Sequence, residues 1–145
     1  MEKNTAILIA ESNQDHYQII ERNIKRAIIG EDIKRFDNGR ALVEFLFTSE
    51  RHPVSCVLVL DLDIEGFDGL EILRKIKSDS YLKKMPVIIF TAQQDQKKID
   101  RCHELGCSIY ISKPQEVAEF SDTVYKIGRF LLNVKVPILN SLLEN

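Results

Sequence analysis

The length, composition and net charge of the chain narrow its class before any motif is considered. Its 145 residues, 44% hydrophobic and 29% charged, predict one globular domain with a sizeable core and exclude a disordered chain. The formal net charge of −2 argues against non-specific nucleic-acid binding, which needs a concentrated excess of basic side chains.

The cysteines and the N-terminal residues predict the cellular compartment. Cys56, Cys102 and Cys107 are odd in number and lack zinc-type pairing, so we expect free thiols in a reducing cytosol. The first residues lead into a short apolar run that is too brief for a signal peptide or a membrane span. We therefore expect a cytoplasmic protein that does not contact a membrane.

Short apolar runs alternate with longer segments of helical periodicity, which predicts alternating strands and helices. The predicted strands cover 5–10, 33–36, 56–60, 86–90 and 108–111. The helical spacing covers about 17–28, 41–46, 70–76, 99–105 and 116–133. Gly30 and Gly106 are predicted to end the first and fourth helices, and Pro53 to end the second strand–helix unit.

Five successive strand–helix units predict an α/β fold with a doubly wound five-stranded parallel sheet, because right-handed crossovers place helices on both faces. The flavodoxin-like order 2-1-3-4-5 is the common solution for five strands, and its switch point lies between strands one and three. Glu11 ends strand one and Asp61 ends strand three. We expect these carboxylates to meet at one sheet edge, beside Thr91 and Lys113 from the neighbouring strand ends.

Carboxylates at such an edge suit phosphoryl chemistry. Adjacent carboxylates repel unless a cation neutralises them, and Mg²⁺ binds a few such oxygens while bridging to phosphate. Asp61 is the candidate nucleophile, with Lys113 and Thr91 stabilising the phosphoryl oxygens. A single acid at a strand end is usually a solvated loop residue, but four complementary groups at one edge favour a functional site.

The motifs at these strand ends resemble the receiver domain of two-component response regulators. The resemblance covers about Thr5 to Phe130, in the family's order and spacing. It rests on Ile7–Glu11, Leu58–Asp63, Gly66–Glu71, Met85–Ala92 and Tyr110–Pro114.

The resemblance implies a signalling role without enzymatic turnover. Asp61 would accept a phosphoryl group from a sensor histidine kinase or a phosphotransfer protein, and Lys113 would contact that group. Thr91 would sense the phosphoryl group, and Tyr110 would be the aromatic switch that turns inward when Thr91 moves. The output would be contact with a downstream protein target.

The resemblance also implies Mg²⁺ held by Glu11, Asp61 and the backbone carbonyl of Asp63. Two positions depart from the family pattern. Ser12 replaces a second acid that binds the metal directly, so the hydroxyl should weaken metal binding. Glu65 stands where many receivers have proline, which should loosen the loop. Both departures leave open a pseudo-receiver that binds partners without phosphorylation.

A third alternative is a phosphohydrolase of the haloacid-dehalogenase type. In such an enzyme Asp61 would be the nucleophile and Asp63 the general acid/base, with Thr91 and Lys113 as the next two motifs. The acidic pair that should follow Lys113 is lacking, and no segment is long enough for a substrate cap.

Several other residues are interpreted as structural. His16 and His52 have no spaced partners and are predicted to be surface residues. Cys102 and His103 point to different sides of the predicted fourth helix, so we expect a buried thiol rather than a metal site.

The C-terminal segment extends beyond the predicted domain. We assign 1–133 to the receiver domain and 134–145 to an apolar extension, with Pro137 kinking or ending the last helix. Such an apolar strip either packs on its own domain or forms an interface, and we predict a homodimer through the last helix and tail. We expect no output domain, so any output would pass through a protein surface of this domain or its extension.

Overall fold

The computed structural model describes residues 5–48, 55–137 and 139. In these ranges it contains five strands, five α-helices and one short 3-10 helix at Leu82–Lys84. The strands are β1 (Thr5–Ala10), β2 (Asp32–Phe36), β3 (Ser55–Leu60), β4 (Val87–Thr91) and β5 (Ile109–Ser112). The helices are α1 (Gln14–Ala27), α2 (Gly39–Phe47), α3 (Gly69–Ser78), α4 (Gln96–Leu105) and α5 (Val117–Leu131).

The strands form one parallel sheet in the order β2-β1-β3-β4-β5. This confirms the predicted doubly wound, flavodoxin-like arrangement. The register places Ala10 beside Leu60 at the ends of β1 and β3, so Glu11 and Asp61 leave the sheet side by side. Thr91 pairs with Ser112 at the ends of β4 and β5, which brings Lys113 to the same edge.

The central strands are covered on both faces, as their unbroken apolar runs predict. Side chains alternate along β1, with Leu8 in the core beneath α2 and α3 and Ile7 in the core beneath α1 and α5. β3 repeats this alternation with Leu58 and Val57. The edge strands β2 and β5 are only partly buried.

Two predicted helix ends differ from the structure. α1 ends at Ala27 rather than at Gly30, because Ile28 takes an extended conformation with φ −129° and is buried with 2% of its surface exposed. α5 ends at Leu131, well before Pro137, so the proline does not end it. Gly106 caps α4 in the left-handed conformation with φ +102°, as predicted.

The described residues of the extension pack on their own domain. Val136 joins the core under α1 and α5, and Leu139 joins the core under α2 and α3. This is one of the two outcomes that the sequence left open. The expectations for His52 and Pro53, and for the extension at 138 and 140–145, lie outside the described residues.

The sequence predicts free thiols and no membrane span, and the structure can be compared with both expectations. Cys56, Cys102 and Cys107 are buried free thiols. None of the helices in the described part of the chain is both long and apolar enough to cross a bilayer.

Candidate functional site

The four residues predicted at the strand ends come together in the structure. Glu11, Asp61, Thr91 and Lys113 are all buried, with at most 7% of their surface exposed. Three of them, Glu11, Asp61 and Lys113, line a cavity of about 320 Å³ that opens at the carboxyl edge of the sheet. The cavity is lined by Glu11, Ser12, Asn13, His16, Asp61, Asp63, Glu65, Ala92 and Lys113.

Lys113 lies between the two buried carboxylates. Its Nζ is 2.6 Å from Glu11 Oε1 and 2.8 Å from Asp61 Oδ2. Its backbone N–H donates to the Thr91 carbonyl at 2.8 Å, which fixes the start of the side chain. Charge-assisted hydrogen bonds of this kind are stronger than neutral ones. The ammonium therefore offsets the repulsion between the carboxylates.

Asp61 is the best-satisfied acid in the site. Its Oδ1 accepts a hydrogen bond from Thr91 Oγ1 at 2.6 Å and from the Asp63 N–H at 3.0 Å. Burial acts to raise the pKa of Asp61, but the bonds from Lys113 and Thr91 and the Lys113 charge outweigh it, so the pKa lies below its ordinary value. Asp61 is thus ionised near neutral pH, the form that a carboxylate nucleophile requires.

Glu11 differs from Asp61 in its electrostatic environment. Burial raises the pKa of Glu11, the charge and hydrogen bond of Lys113 lower it, and the Asp61 charge raises it, so that the pKa lies above its ordinary value. Glu11 Oε2 accepts one backbone hydrogen bond, from Asn13 at 3.1 Å. The environment therefore separates the pKa values of two neighbouring carboxyl groups, which is typical of functional sites.

The side chains fit a hard divalent cation in part. Glu11 and Asp61 offer carboxylate oxygens to one cavity, and Mg²⁺ commonly takes one or two carboxylates and keeps several waters. Among residues 5–48, 55–137 and 139, no three acidic, histidine or cysteine side chains converge as a metal site would require. The Asp63 carboxylate accepts instead from Gln93 Nε2 at 2.7 Å, which leaves its backbone carbonyl as the third candidate ligand.

The two departures from the receiver pattern contact each other. Ser12 Oγ accepts a hydrogen bond from the backbone N–H of Glu65 at 2.8 Å. A proline at 65 would have no N–H to donate, so the Ser12 hydroxyl depends on a non-proline residue there. The Glu65 carbonyl in turn accepts from the Gly39 N–H at 2.7 Å. The backbone of Glu65 is therefore hydrogen-bonded through both its N–H and its carbonyl, and the loosening of the loop stays a prediction.

Thr91 and Tyr110 are both hydrogen-bonded at the carboxyl edge of the sheet. Thr91 donates to Asp61. The Tyr110 side chain is half-buried against the core, and its hydroxyl donates to the Gln93 carbonyl at 2.7 Å. Burial raises the pKa of Tyr110 to about 12, so the hydroxyl stays protonated and able to donate.

Sequence reasoning missed two residues of the site. The sequence predicts His16 as a surface residue without a partner, whereas the structure places it half-buried in the lining of the site cavity with its Nδ1 3.0 Å from Lys113 Nζ. The available signal was its position in the first turn of α1, directly after strand β1. Gln93 is the second residue: its side-chain amide donates to Asp63 and its backbone carbonyl accepts from the Tyr110 hydroxyl. Every residue has a backbone carbonyl, so the sequence does not indicate which one takes part.

The chain is similar to known proteins over most of its length. The family described as response regulator receiver domain matches residues 7–125. Response regulator Rcp1 of Synechocystis sp. is 26% identical over 129 residues, which cover 87% of this chain and 88% of Rcp1.

Solved structures agree with this match. A receiver domain from Rhodospirillum rubrum superposes with a TM-score of 0.88 at 29% identity, covering 94% of this chain and 99% of that one. The Mn²⁺-bound form of Rcp1 superposes with a TM-score of 0.84 at 25% identity, covering 91% and 98%. The predicted resemblance is confirmed, and the chain belongs to the response regulator receiver domain family.

Proposed function

We propose that the chain accepts a phosphoryl group on Asp61 and transmits this state through contact with another protein. The observation that carries the proposal is the ionised, buried Asp61 carboxylate, held 2.8 Å from the Lys113 ammonium at the edge of an open cavity. Lys113 and Thr91 are donors aimed at the place where negative charge accumulates during transfer. Such a constellation favours acceptance of a phosphoryl group over simple binding.

The reaction balances with a phosphohistidine donor. A carboxylate oxygen of Asp61 forms a bond to phosphorus while the bond from phosphorus to the donor's imidazole nitrogen breaks, and the electron pair leaves with the imidazole. The product is an acyl phosphate on Asp61. A sensor histidine kinase or a phosphotransfer protein is the partner class that carries such a donor.

A divalent cation belongs to the proposal as a cofactor. Glu11, Asp61 and the Asp63 carbonyl would hold it, with Mg²⁺ as the candidate ion, and the bound ion would neutralise charge on the transferring phosphoryl group. Ser12 is the weakest candidate ligand, because its hydroxyl is uncharged and its Oγ already accepts one hydrogen bond, from the Glu65 N–H.

Signal output is assigned to Thr91 and Tyr110. A phosphoryl group adds roughly −1.5 to −2 charge and strong acceptors, which would hold the Thr91 hydroxyl at the site. The Tyr110 hydroxyl would then stay bonded to the backbone carbonyl of Gln93. This bond would stabilise a single conformation of the surface that α4, β5 and α5 form. A downstream protein in the cytoplasm, rather than nucleic acid or a membrane, is the proposed target of that surface.

Asp61→Asn tests the proposed acceptor. Wild-type protein incubated with Mg²⁺ and acetyl phosphate is expected to gain the mass of one phosphoryl group, and Asp61→Asn is expected to gain none because an amide is not a nucleophile. Intact-protein mass spectrometry measures both. Asp63→Asn is the matched control, since its carboxylate bonds Gln93 outside the acceptor position, and it is expected to gain the phosphoryl group.

Each alternative function predicts its own outcome, either in that experiment or in a separate assay of phosphomonoester turnover. No mass gain in the wild type contradicts phosphorylation and favours the pseudo-receiver. An equal gain in Asp61→Asn would remove Asp61 as the acceptor. Continuous phosphate release from a phosphomonoester, well beyond one equivalent of protein, favours the phosphohydrolase.

The proposed homodimer is supported by one exposed apolar feature. Phe130 on α5 is 52% exposed and borders a cavity of about 190 Å³ with Ile109 and Ile111 of the edge strand β5. Phe130→Ser is expected to weaken self-association by about ten-fold or more, as for a buried aromatic anchor. Sedimentation at several concentrations measures it.

Ile29→Ser is the matched control, because Ile29 is 91% exposed and belongs to the loop between α1 and β2 rather than to α5 or β5. It is expected to leave association unchanged, and a wild type that stays monomeric at every concentration contradicts the dimer.

Truncation after Val134 also tests the proposed division between domain 1–133 and extension 134–145. It removes Leu139 from the core as well, so its effect on unfolding must be measured alongside.

A further inference from the structure

The Lys113 ammonium has a third acceptor besides the two carboxylates. A lysine ammonium has three N–H donors and no acceptor, and Lys113 Nζ lies 3.0 Å from His16 Nδ1. The lysine is charged because it lies between Glu11 and Asp61. His16 Nδ1 must therefore accept this hydrogen bond, which places the imidazole proton on Nε2.

The backbone and the ring of His16 are each held by a contact. The Asn13 side chain caps α1 by accepting from the His16 backbone N–H at 3.0 Å. The ring packs against Phe120 of α5 with centroids 5.1 Å apart, and Phe120 contacts Phe90 of β4 edge-on at 5.2 Å. The ring is thus supported by the core rather than free to rotate into solvent.

The surroundings of His16 favour its neutral form. Burial lowers the pKa of His16, and the Lys113 charge lowers it further. His16 lines both the site cavity and an adjacent, mainly apolar cavity of about 250 Å³ that Ile19 and Phe120 also line. His16 therefore presents a fixed, uncharged acceptor to the ammonium from the side of α1 and α5.

We propose that His16 is a positioning residue that holds the Lys113 ammonium in place when Asp61 is phosphorylated. The inference rests on the proposed function. In the resting site Lys113 is held mainly by two carboxylates, and each of them has another role in the proposed reaction. Asp61 becomes an acyl phosphate, and Glu11 is a proposed metal ligand.

The His16 acceptor does not change during that reaction. One N–H of Lys113 stays bonded to Nδ1, so the remaining N–H groups stay directed at the position of Asp61. Without His16 the flexible lysine side chain would have to be ordered again at each transfer. The cost should appear as a lower phosphorylation rate.

His16→Leu and His16→Asn separate the effect of the hydrogen-bond acceptor of His16 from the effect of its side-chain volume. Leucine fills the space beside Phe120 without an acceptor, whereas the asparagine amide oxygen can take the place of Nδ1. We expect phosphorylation by acetyl phosphate to slow about ten-fold in His16→Leu, the effect of losing one hydrogen bond to a charged group. His16→Asn should stay within about two-fold of the wild type.

Time-resolved mass spectrometry of the Asp61 phosphoryl gain measures these rates. Gln18→Leu is the control, because Gln18 is exposed on the same helix, and it should react as the wild type does. A wild-type rate in His16→Leu overturns the proposal. An equal loss in His16→Leu and His16→Asn also overturns it, since bulk rather than the acceptor would then matter.

A second measurement keeps the test independent of phosphorylation and of how well His16→Leu folds. Nitrogen-15 chemical shifts of the imidazole in the resting wild type should show a proton on Nε2 and a hydrogen-bonded acceptor at Nδ1. That Nδ1 signature should disappear in Lys113→Met. A proton on Nδ1 overturns the inference about His16, whereas a wild type that gains no phosphoryl group overturns the proposed function instead.

Discussion

Replacing Lys113 with methionine is expected to lower the free energy of unfolding by about 3–5 kcal/mol near pH 8, because it leaves buried carboxylates without their counter-charge. The ammonium contacts both Glu11 and Asp61 within 2.8 Å, and its side chain is only 4% exposed. Urea denaturation of the wild type and the variant at several pH values measures the loss.

The pH dependence of that loss has a definite sign. Without Lys113, burial raises the pKa of Asp61 and of Glu11 above the values of the unfolded chain. A carboxyl group with a raised folded pKa favours folding at low pH, and this contribution is lost as pH rises through the folded pKa. The deficit of Lys113→Met should therefore shrink toward about pH 5, where protonation relieves the repulsion.

Two variants serve as controls for Lys113→Met. Lys126→Met removes an exposed partner of Asp122, whose ion pair is 2.9 Å long with both side chains more than 60% exposed, and should change stability little. Adding Asp61→Asn to Lys113→Met should restore part of the loss, since one buried charge disappears. A deficit that is the same at every pH contradicts this electrostatic role.

Gly69→Ala is expected to destabilise the fold by about 3 kcal/mol through overpacking. A Cβ at Gly69 would lie 2.6 Å from the Leu62 Cα and 2.7 Å from the Leu62 carbonyl oxygen. These are backbone atoms directly after Asp61, and they cannot rotate away as a side chain can. Urea denaturation measures the stability, and the rate of phosphoryl gain should fall as well because the acceptor shifts with Leu62.

Gly30→Ala separates overpacking from backbone strain. Gly30 has φ +85°, and among the described residues no atom lies within 4 Å of the place that an added Cβ would take. Alanine there should therefore cost only about 1 kcal/mol of left-handed strain. Equal losses in Gly69→Ala and Gly30→Ala would contradict close packing of α3 on the acceptor loop.

The sheet could be predicted because its signals are local. The unbroken apolar runs of β1, β3 and β4 indicate strands covered on both faces, and the polar residues that end them mark the carboxyl edge. Generic topology then brings Glu11 beside Asp61. The end of α1 could not be predicted in this way, because Ile28 leaves the helix to enter the core and tertiary packing overrides the glycine signal.

The remaining parts of the site depend on contacts between distant segments. His16 reaches Lys113 across 97 residues, and its role depends on the position of Phe120 on another helix. Gln93 bonds Tyr110 through a backbone carbonyl, for which the sequence offers no marker. A histidine without a spaced partner is ordinarily a surface residue, so only the folded geometry distinguishes this one.

The bond between Ser12 and Glu65 makes these two positions energetically interdependent. Restoring proline at 65 alone removes the donor of that bond, whereas restoring an acid at 12 alone adds a negative charge beside Glu11, Asp61 and the Glu65 carboxylate. Effects of substitutions at contacting residues do not add. Neither residue is therefore a simple deviation that can be reverted singly, and redesign toward the common receiver pattern has to treat 12 and 65 as one unit.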